Sequence, residues 1–264
     1  MNNRIQQKFV ALKVKKQKAF VAFITAGDPD LATTKDAVLT LEKAGCDIIE
    51  LGMPFSDPMA DGPVIQKSSE RALKSGTHLK AIFETVAAIR QESQIPILLM
   101  GYFNPVYQYG LKAFFRDAKK AGVDGALIVD LPPEEAEDTR LAAQAQDISL
   151  IFLLAPTSNE SRIALVDQKG SGFIYYVSMT GITGASLQKQ LGSQQALKKL
   201  KQKTSLPVCV GFGIKNKEQA AEVAPLADGI VVGSALVDLF EKFQGSELQT
   251  KLYELTRDLA EATH

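Results

Sequence analysis

VGFGIKNKEQAAEVAPLADGIVVGSALVDLF, residues 210–240, decides between two folds for this chain. Each half is a short apolar run that stops at glycine and gives way to helical spacing: PVCVGFG (207–213), then DGIVVG (228–233). Backbone N–H groups exposed at a helix start, with the helix dipole behind them, form a ready anion site. Gly233 and Ser234 stand at the second junction, and Gly213 at the first can let backbone approach a ligand. Strand–helix barrels bind phosphate after their last two strands. The two junctions together predict a phosphorylated substrate, held without Arg or Lys.

Six further apolar runs precede this stretch: AFVAFIT (19–25), CDIIELG (46–52), PILLM (96–100), DGALIV (124–129), ISLIFLL (148–154) and GFIYYVS (172–178). Most are continuously hydrophobic, as parallel strands buried on both faces are. Segments such as LATTKDAVLTLEKAG and KAFFRDAKKAG lie between them, with apolar residues three and four apart, and Gly45, Gly76 and Gly122 mark helix ends. The alternation fits a (β/α)8 TIM barrel or a doubly wound open sheet. TAGDPD after the first run is not the G-x-G-x-x-G of a dinucleotide fold, so the barrel is favoured. No linker or composition shift divides the chain, which predicts one barrel domain over 1–264. Ile5, Phe9 and Leu12 add an N-terminal amphipathic helix, and Lys13, Lys15, Lys16 and Lys18 read as a solvated face.

Lys+Arg and Asp+Glu both number 30, a balance that gives no support to nucleic acid or a membrane surface as partner. No apolar run approaches the ~20 residues that span a bilayer. Cys46 and Cys209 lie in separate apolar runs, too few for a disulfide framework and suited to a reducing compartment. His78 and His264 show no metal-site spacing. The expectation is a metal-free cytoplasmic protein.

In a barrel the chemistry belongs to the loops after the strands. In the first, Asp28 and Asp30 are expected to cap the following helix. The second, from Gly52 to Pro63, is long for its class, which marks it as functional. The third, GYFNPVYQYG, carries four aromatic residues that could line a pocket, form an interface or simply pack. After the fourth strand, Asp130 reads as a cap or structural acceptor, ahead of an acidic first helical turn. After the sixth, MTGITGASLQKQLG places Gly181 and Gly184 among hydroxyl residues, the composition of a closing lid, and Gly184 could also approach the phosphate.

CDIIELGMPFSDPMADGPVIQ (46–66) carries two carboxylates. Glu50 shares a pleat face with Ile48, and burial among apolar neighbours would raise its pKa toward neutrality. Asp61, on a glycine-flanked loop, is expected to stay ionised. Two carboxyls in different protonation states suit a paired acid and base. The alternative is structural, with Glu50 in a salt bridge and Asp61 capping the helix that begins near Pro63.

FITAGDP, DIIELGMPFSDPMADGPVIQ, GYFNP, VSMTGITG, VGFGI and VVGSA, in this order along essentially the whole chain, resemble the tryptophan synthase alpha chain family. The resemblance implies a TIM barrel that cleaves indole-3-glycerol phosphate to indole and glyceraldehyde 3-phosphate. It implies Glu50 as general acid and base and Asp61 as the group at the indole nitrogen. It further implies that Phe23, Tyr175, Phe212 and Leu99 or nearby residues shape the indole pocket. Phosphate would be held around Gly184, Gly213, Gly233 and Ser234, and Thr183 would be the lid residue that meets Asp61. The implied partner is a beta chain, two of each per assembly, approached through Asp57, Pro58, Asn104 and Pro105. Pyridoxal phosphate is expected only in that partner, and no cofactor in this chain. Met179 stands where some family members have arginine, which puts a salt bridge anchoring the lid in doubt. Rival readings are a stand-alone lyase releasing free indole, a barrel that mainly activates the beta chain, and another phosphate-binding enzyme on the same fold.

Overall fold

A computed structural model describes residues 3–177, 194–211 and 213–264. Eight parallel strands close into a barrel in chain order: β1 Ala19–Thr25, β2 Ile48–Gly52, β3 Ile97–Gly101, β4 Gly125–Ile128, β5 Ser149–Leu154, β6 Ile174–Val177, β7 Val208–Gly211 and β8 Gly229–Val232. The first half of the chain supplies helices α1 Arg4–Lys15, α2 Leu31–Lys43, α3 Pro63–Lys74, α4 Leu79–Ile89, α5 Phe103–Tyr109 and α6 Leu111–Ala121. The second half adds α7 Glu137–Gln144, α8 Glu160–Lys169, α9 Gln194–Lys203, α10 Lys217–Val223, α11 Ser234–Lys242 and α12 Gly245–Thr263. The (β/α)8 TIM barrel with an extra N-terminal helix is therefore the fold, and the open-sheet alternative falls.

Every apolar run became a strand, usually shortened at its edges. GFIYYVS loses its first residues because Gly172 turns at φ 82, outside strand geometry. The helix ends follow the same chemistry: Gly45, Gly76 and Gly122 all hold positive φ just after α2, α3 and α6.

Strand alternation sorts the core into two layers. Residues such as Phe20, Ile49, Leu99 and Ile230 pack outward against the helices. Val21, Ile48, Leu98, Leu127, Ile151, Cys209 and Val231 fill the barrel itself. Its N-terminal end is closed by α1, whose Ile5, Phe9 and Leu12 join this inner cluster. Phe9 meets Phe173 with ring centroids 5.8 Å apart. The Asn3 side chain fixes the helix by accepting from Ile5 N–H and donating to the Asp124 carbonyl at 2.6 Å. Both Arg4 and Arg90 pair with the buried Asp124 carboxylate, at 2.9 and 2.8 Å. With that end covered by α1, the loops at the C-terminal end of the strands are where a barrel of this kind binds its substrate.

Candidate active site

Glu50 lies in the middle of β2, opposite Phe23 of β1 and Leu98 of β3. It shares the inward face with Ile48, as the pleat requires, and is 0% exposed. Among the described residues neither carboxyl oxygen has a hydrogen-bond partner. The structural salt bridge does not form. Burial, reinforced by the negative charge of Asp61, pushes the Glu50 pKa up to about 8. A carboxyl in that state carries a proton at neutral pH and can give it up without large cost.

Asp61 sits on the loop between β2 and α3 and is half-buried. It does not cap α3: the N-cap is Gly62, which makes no side-chain capping bond. Burial raises its pKa too, against a hydrogen bond from Tyr102 that lowers it. The two carboxyls thus face one mouth, with Asp61 near enough for its charge to act on Glu50.

Tyr102 was hidden in the aromatic cluster of the third loop. It follows β3 directly, is buried, and its hydroxyl accepts from Ala60 N–H at 3.0 Å. Its ring meets Phe55 at 5.4 Å, so the second and third loops are packed together. No sequence spacing singles out one of the loop's four aromatic residues. The only available signal was its place as the first residue past a strand end.

The walls around Glu50 are apolar. Tyr175 points inward from β6 and packs against the inner cluster with Met100, Val129 and Leu153. A side chain at Gly211, on neighbouring β7, would come within 2.4 Å of the Tyr175 ring, so the glycine makes its space. Phe23 lies between Gly52 and Gly233, where an added Cβ would stand 2.7 and 3.4 Å from its side chain. The expectation for Leu99 needs correction. Strand parity turns Leu99 outward into the helix layer, and Met100 lines the inner side instead.

At the phosphate positions, Gly233 caps α11 with no side-chain bond of its own, and Ser234 opens the helix exposed to solvent. Gly233 O accepts from Leu236 and Val237 N–H. That leaves the N–H groups of Ser234 and Ala235, ahead of these two, as the ones a helix start does not use itself. Gly213 takes φ 66, a backbone state that glycine allows. Thr183, Gly184, Phe212 and Met179, and the lid expected around them, lie outside the described residues.

Asp30 caps α2 by accepting from Thr33 N–H at 2.7 Å. Asp28 does not; it is buried and accepts two 2.7 Å hydrogen bonds from the Arg71 guanidinium of α3. A carboxylate that the chain folds over needs a cation more than a helix end does. Asp130 is a structural acceptor, taking the Phe103 N–H of α5 at 2.7 Å. Asp57 and Asn104 are exposed while Pro58 and Pro105 are half-buried, beside the exposed Met59 and Tyr107. Cys46 and Cys209 are buried free thiols. Among the described residues no group of His, Cys, Asp and Glu is placed to hold a metal ion, and no helix is long and apolar enough to cross a membrane.

This arrangement matches known proteins along its length. The family model described as tryptophan synthase alpha chain matches residues 9–264. A tryptophan synthase alpha chain of Geobacter sp. (strain M21) is 56% identical over 250 residues, 95% of this chain and 94% of that one. That of Citrifermentans bemidjiense is 57% identical with the same coverage. Among solved structures, tryptophan synthase subunit alpha of Legionella pneumophila superimposes with a TM-score of 0.91 at 37% identity, covering 100% of this chain and 99% of that one. A chain of the M. tuberculosis tryptophan synthase, in its aminoacrylate-bound form, gives 0.89 at 33% identity over 99% and 100%. Sequence motifs, barrel geometry and paired carboxylates agree: the chain belongs to the tryptophan synthase alpha chain family.

Proposed function

We propose that Glu50 and Asp61 divide the chemistry of this barrel between the breaking carbon–carbon bond and the indole ring. As an alpha chain, the protein is a lyase that cleaves indole-3-glycerol phosphate to indole and glyceraldehyde 3-phosphate, and the indole passes to a beta chain. The cleavage needs a proton on indole C3, and protonated Glu50 supplies it. The ring then carries positive charge at nitrogen, which the Asp61 carboxylate stabilises. The Glu50 carboxylate next takes the proton of the adjacent side-chain hydroxyl. The carbon–carbon bond breaks, its electron pair restores the ring, and the oxygen becomes the aldehyde. Glu50 ends protonated, as it began. The observation that carries this reading is the buried Glu50 carboxyl, without a hydrogen-bond partner among the described residues and with its pKa raised to about 8 beside a second carboxylate.

Phe23 and Tyr175 form the indole walls in this reading, joined by Phe212. The first turn of α11 at Gly233 and Ser234, with Gly213 and Gly184, holds the phosphate through backbone N–H groups. Thr183 meets Asp61 when the sixth loop closes. Asp57, Pro58, Asn104 and Pro105 face the beta chain, with two alpha and two beta chains per assembly. Pyridoxal phosphate belongs to the beta chain, and this chain, one cytoplasmic barrel domain over 1–264, works without a cofactor. Indole release from indole-3-glycerol phosphate by the purified chain, with and without a beta chain, tests the reading. Asp61→Asn should lower the rate by about a hundredfold or more if the carboxylate stabilises the ring cation. A rate within threefold of the unchanged chain removes Asp61 from the mechanism.

A further inference from the structure

Asp61 sits on a loop, and loops do not by themselves hold a catalytic group to the sub-ångström placement that chemistry needs. Its neighbour Ala60 donates its N–H to the Tyr102 hydroxyl at 3.0 Å. The same hydroxyl lies close enough to the Asp61 carboxylate to lower its pKa. A phenol has one proton to give and lone pairs to receive, so it can accept from Ala60 and donate to Asp61 at once. Tyr102 is itself fixed: it is 4% exposed, stacks against Phe55 of the same loop, and follows β3 without an intervening residue. The next residue, Phe103, donates its N–H to Asp130 at 2.7 Å, which anchors the chain on the other side of the tyrosine.

We propose that Tyr102 is the positioning residue for Asp61, tying the second loop to the end of β3 so that the carboxylate faces Glu50 across the barrel mouth. The assignment rests on the role given to Asp61 above. It also connects the surface to the chemistry, because Asn104 and Pro105 follow Tyr102 in the same turn of chain. A partner that shifts that turn shifts the anchor of the loop carrying Asp61.

The hydroxyl also favours the charged form of Asp61, since a donated hydrogen bond stabilises a carboxylate. The other groups that bear on this carboxylate are Glu50 of β2 and Tyr175 of β6, with Asp130 acting on Tyr102 from behind. Among the described residues none of these is a cation, and the Tyr102 hydroxyl is what favours the charged form of the Asp61 carboxylate.

The test is Tyr102→Phe, which keeps the ring against Phe55 and removes only the oxygen. A hydrogen bond to a charged group is worth about 1.5–3 kcal/mol, so kcat/KM for indole-3-glycerol phosphate should fall about ten- to a hundredfold. The acid limb of the kcat/KM–pH profile, where Asp61 must be ionised, should move to higher pH. In an Asp61→Asn background the same substitution should cost less than twofold, because its target is gone. An unchanged acid limb, or a full loss on top of Asp61→Asn, overturns the proposal while leaving the role of Asp61 intact. Near-full activity of Asp61→Asn alone overturns the role of Asp61 and the proposal with it.

Discussion

Phe23 and Glu50 are register partners on adjacent strands, and strand alternation turns both side chains to the inside of the barrel mouth. The ring fits because Gly52 and Gly233 leave space on either side of it. The cross-strand partner of Glu50 on β1 is thus an aromatic residue and not a cation. Burial on this inner face, with the negative charge of Asp61, raises its pKa to about 8.

The burial of Glu50 gives stability a pH dependence. Its folded-state pKa of about 8 stands above the ordinary 4.5. Between those values the folded chain keeps a proton that the unfolded chain has released. Stability from this group is therefore full below the ordinary value, declines as pH rises by up to about 1.4 kcal/mol per unit, and is lost through pH 8. Calorimetric unfolding midpoints of the unchanged chain should fall between pH 6 and 9 more steeply than those of Glu50→Gln. Parallel curves would show that the carboxyl is not held protonated.

The N-terminal helix should matter for stability and not for substrate. Phe9→Ala removes a ring packed on Phe173 at the sealed end, far from the mouth. Large-to-small changes of this kind cost about 3–5 kcal/mol. Urea unfolding should show a loss of about that size, while KM for indole-3-glycerol phosphate stays within twofold. A selective rise in KM would mean that the plug shapes the site.

Arg71 should be worth more to the fold than its exposure suggests. Its guanidinium holds Asp28, which is 1% exposed, through two hydrogen bonds. Arg71→Ala leaves that carboxylate buried and alone, a loss of about 3–5 kcal/mol in urea unfolding. Arg71→Ala with Asp28→Asn should recover part of it, because the charge has gone. No recovery would place the cost in lost packing of the arginine stem.

The barrel was legible because continuous apolar runs and glycine-ended helices state strand and helix directly, and because Gly233–Ser234 sits at a strand–helix junction. Glu50 was legible for the same reason: a lone carboxylate inside the run IIELG is hard to read as anything but functional or paired. Tyr102 and Asp28 were not. The first depends on which of several aromatic residues the barrel aims at a loop, the second on a cation 43 residues away. Leu99 was misplaced by one residue, which on a strand is the difference between the two faces. Each of these depends on long-range geometry, which composition and spacing do not carry.

Indole release by Glu50→Gln tests the central claim most directly. Glutamine keeps the shape of the side chain and can neither give nor take the proton. General acid–base groups supply about a hundred- to ten-thousandfold, and Glu50 acts twice in each turnover. The variant should fold with the circular dichroism of the unchanged chain, still bind indole-3-glycerol phosphate, and release indole at least about a thousandfold more slowly. Turnover within tenfold of the unchanged chain would contradict the account and send the search for the proton carrier elsewhere.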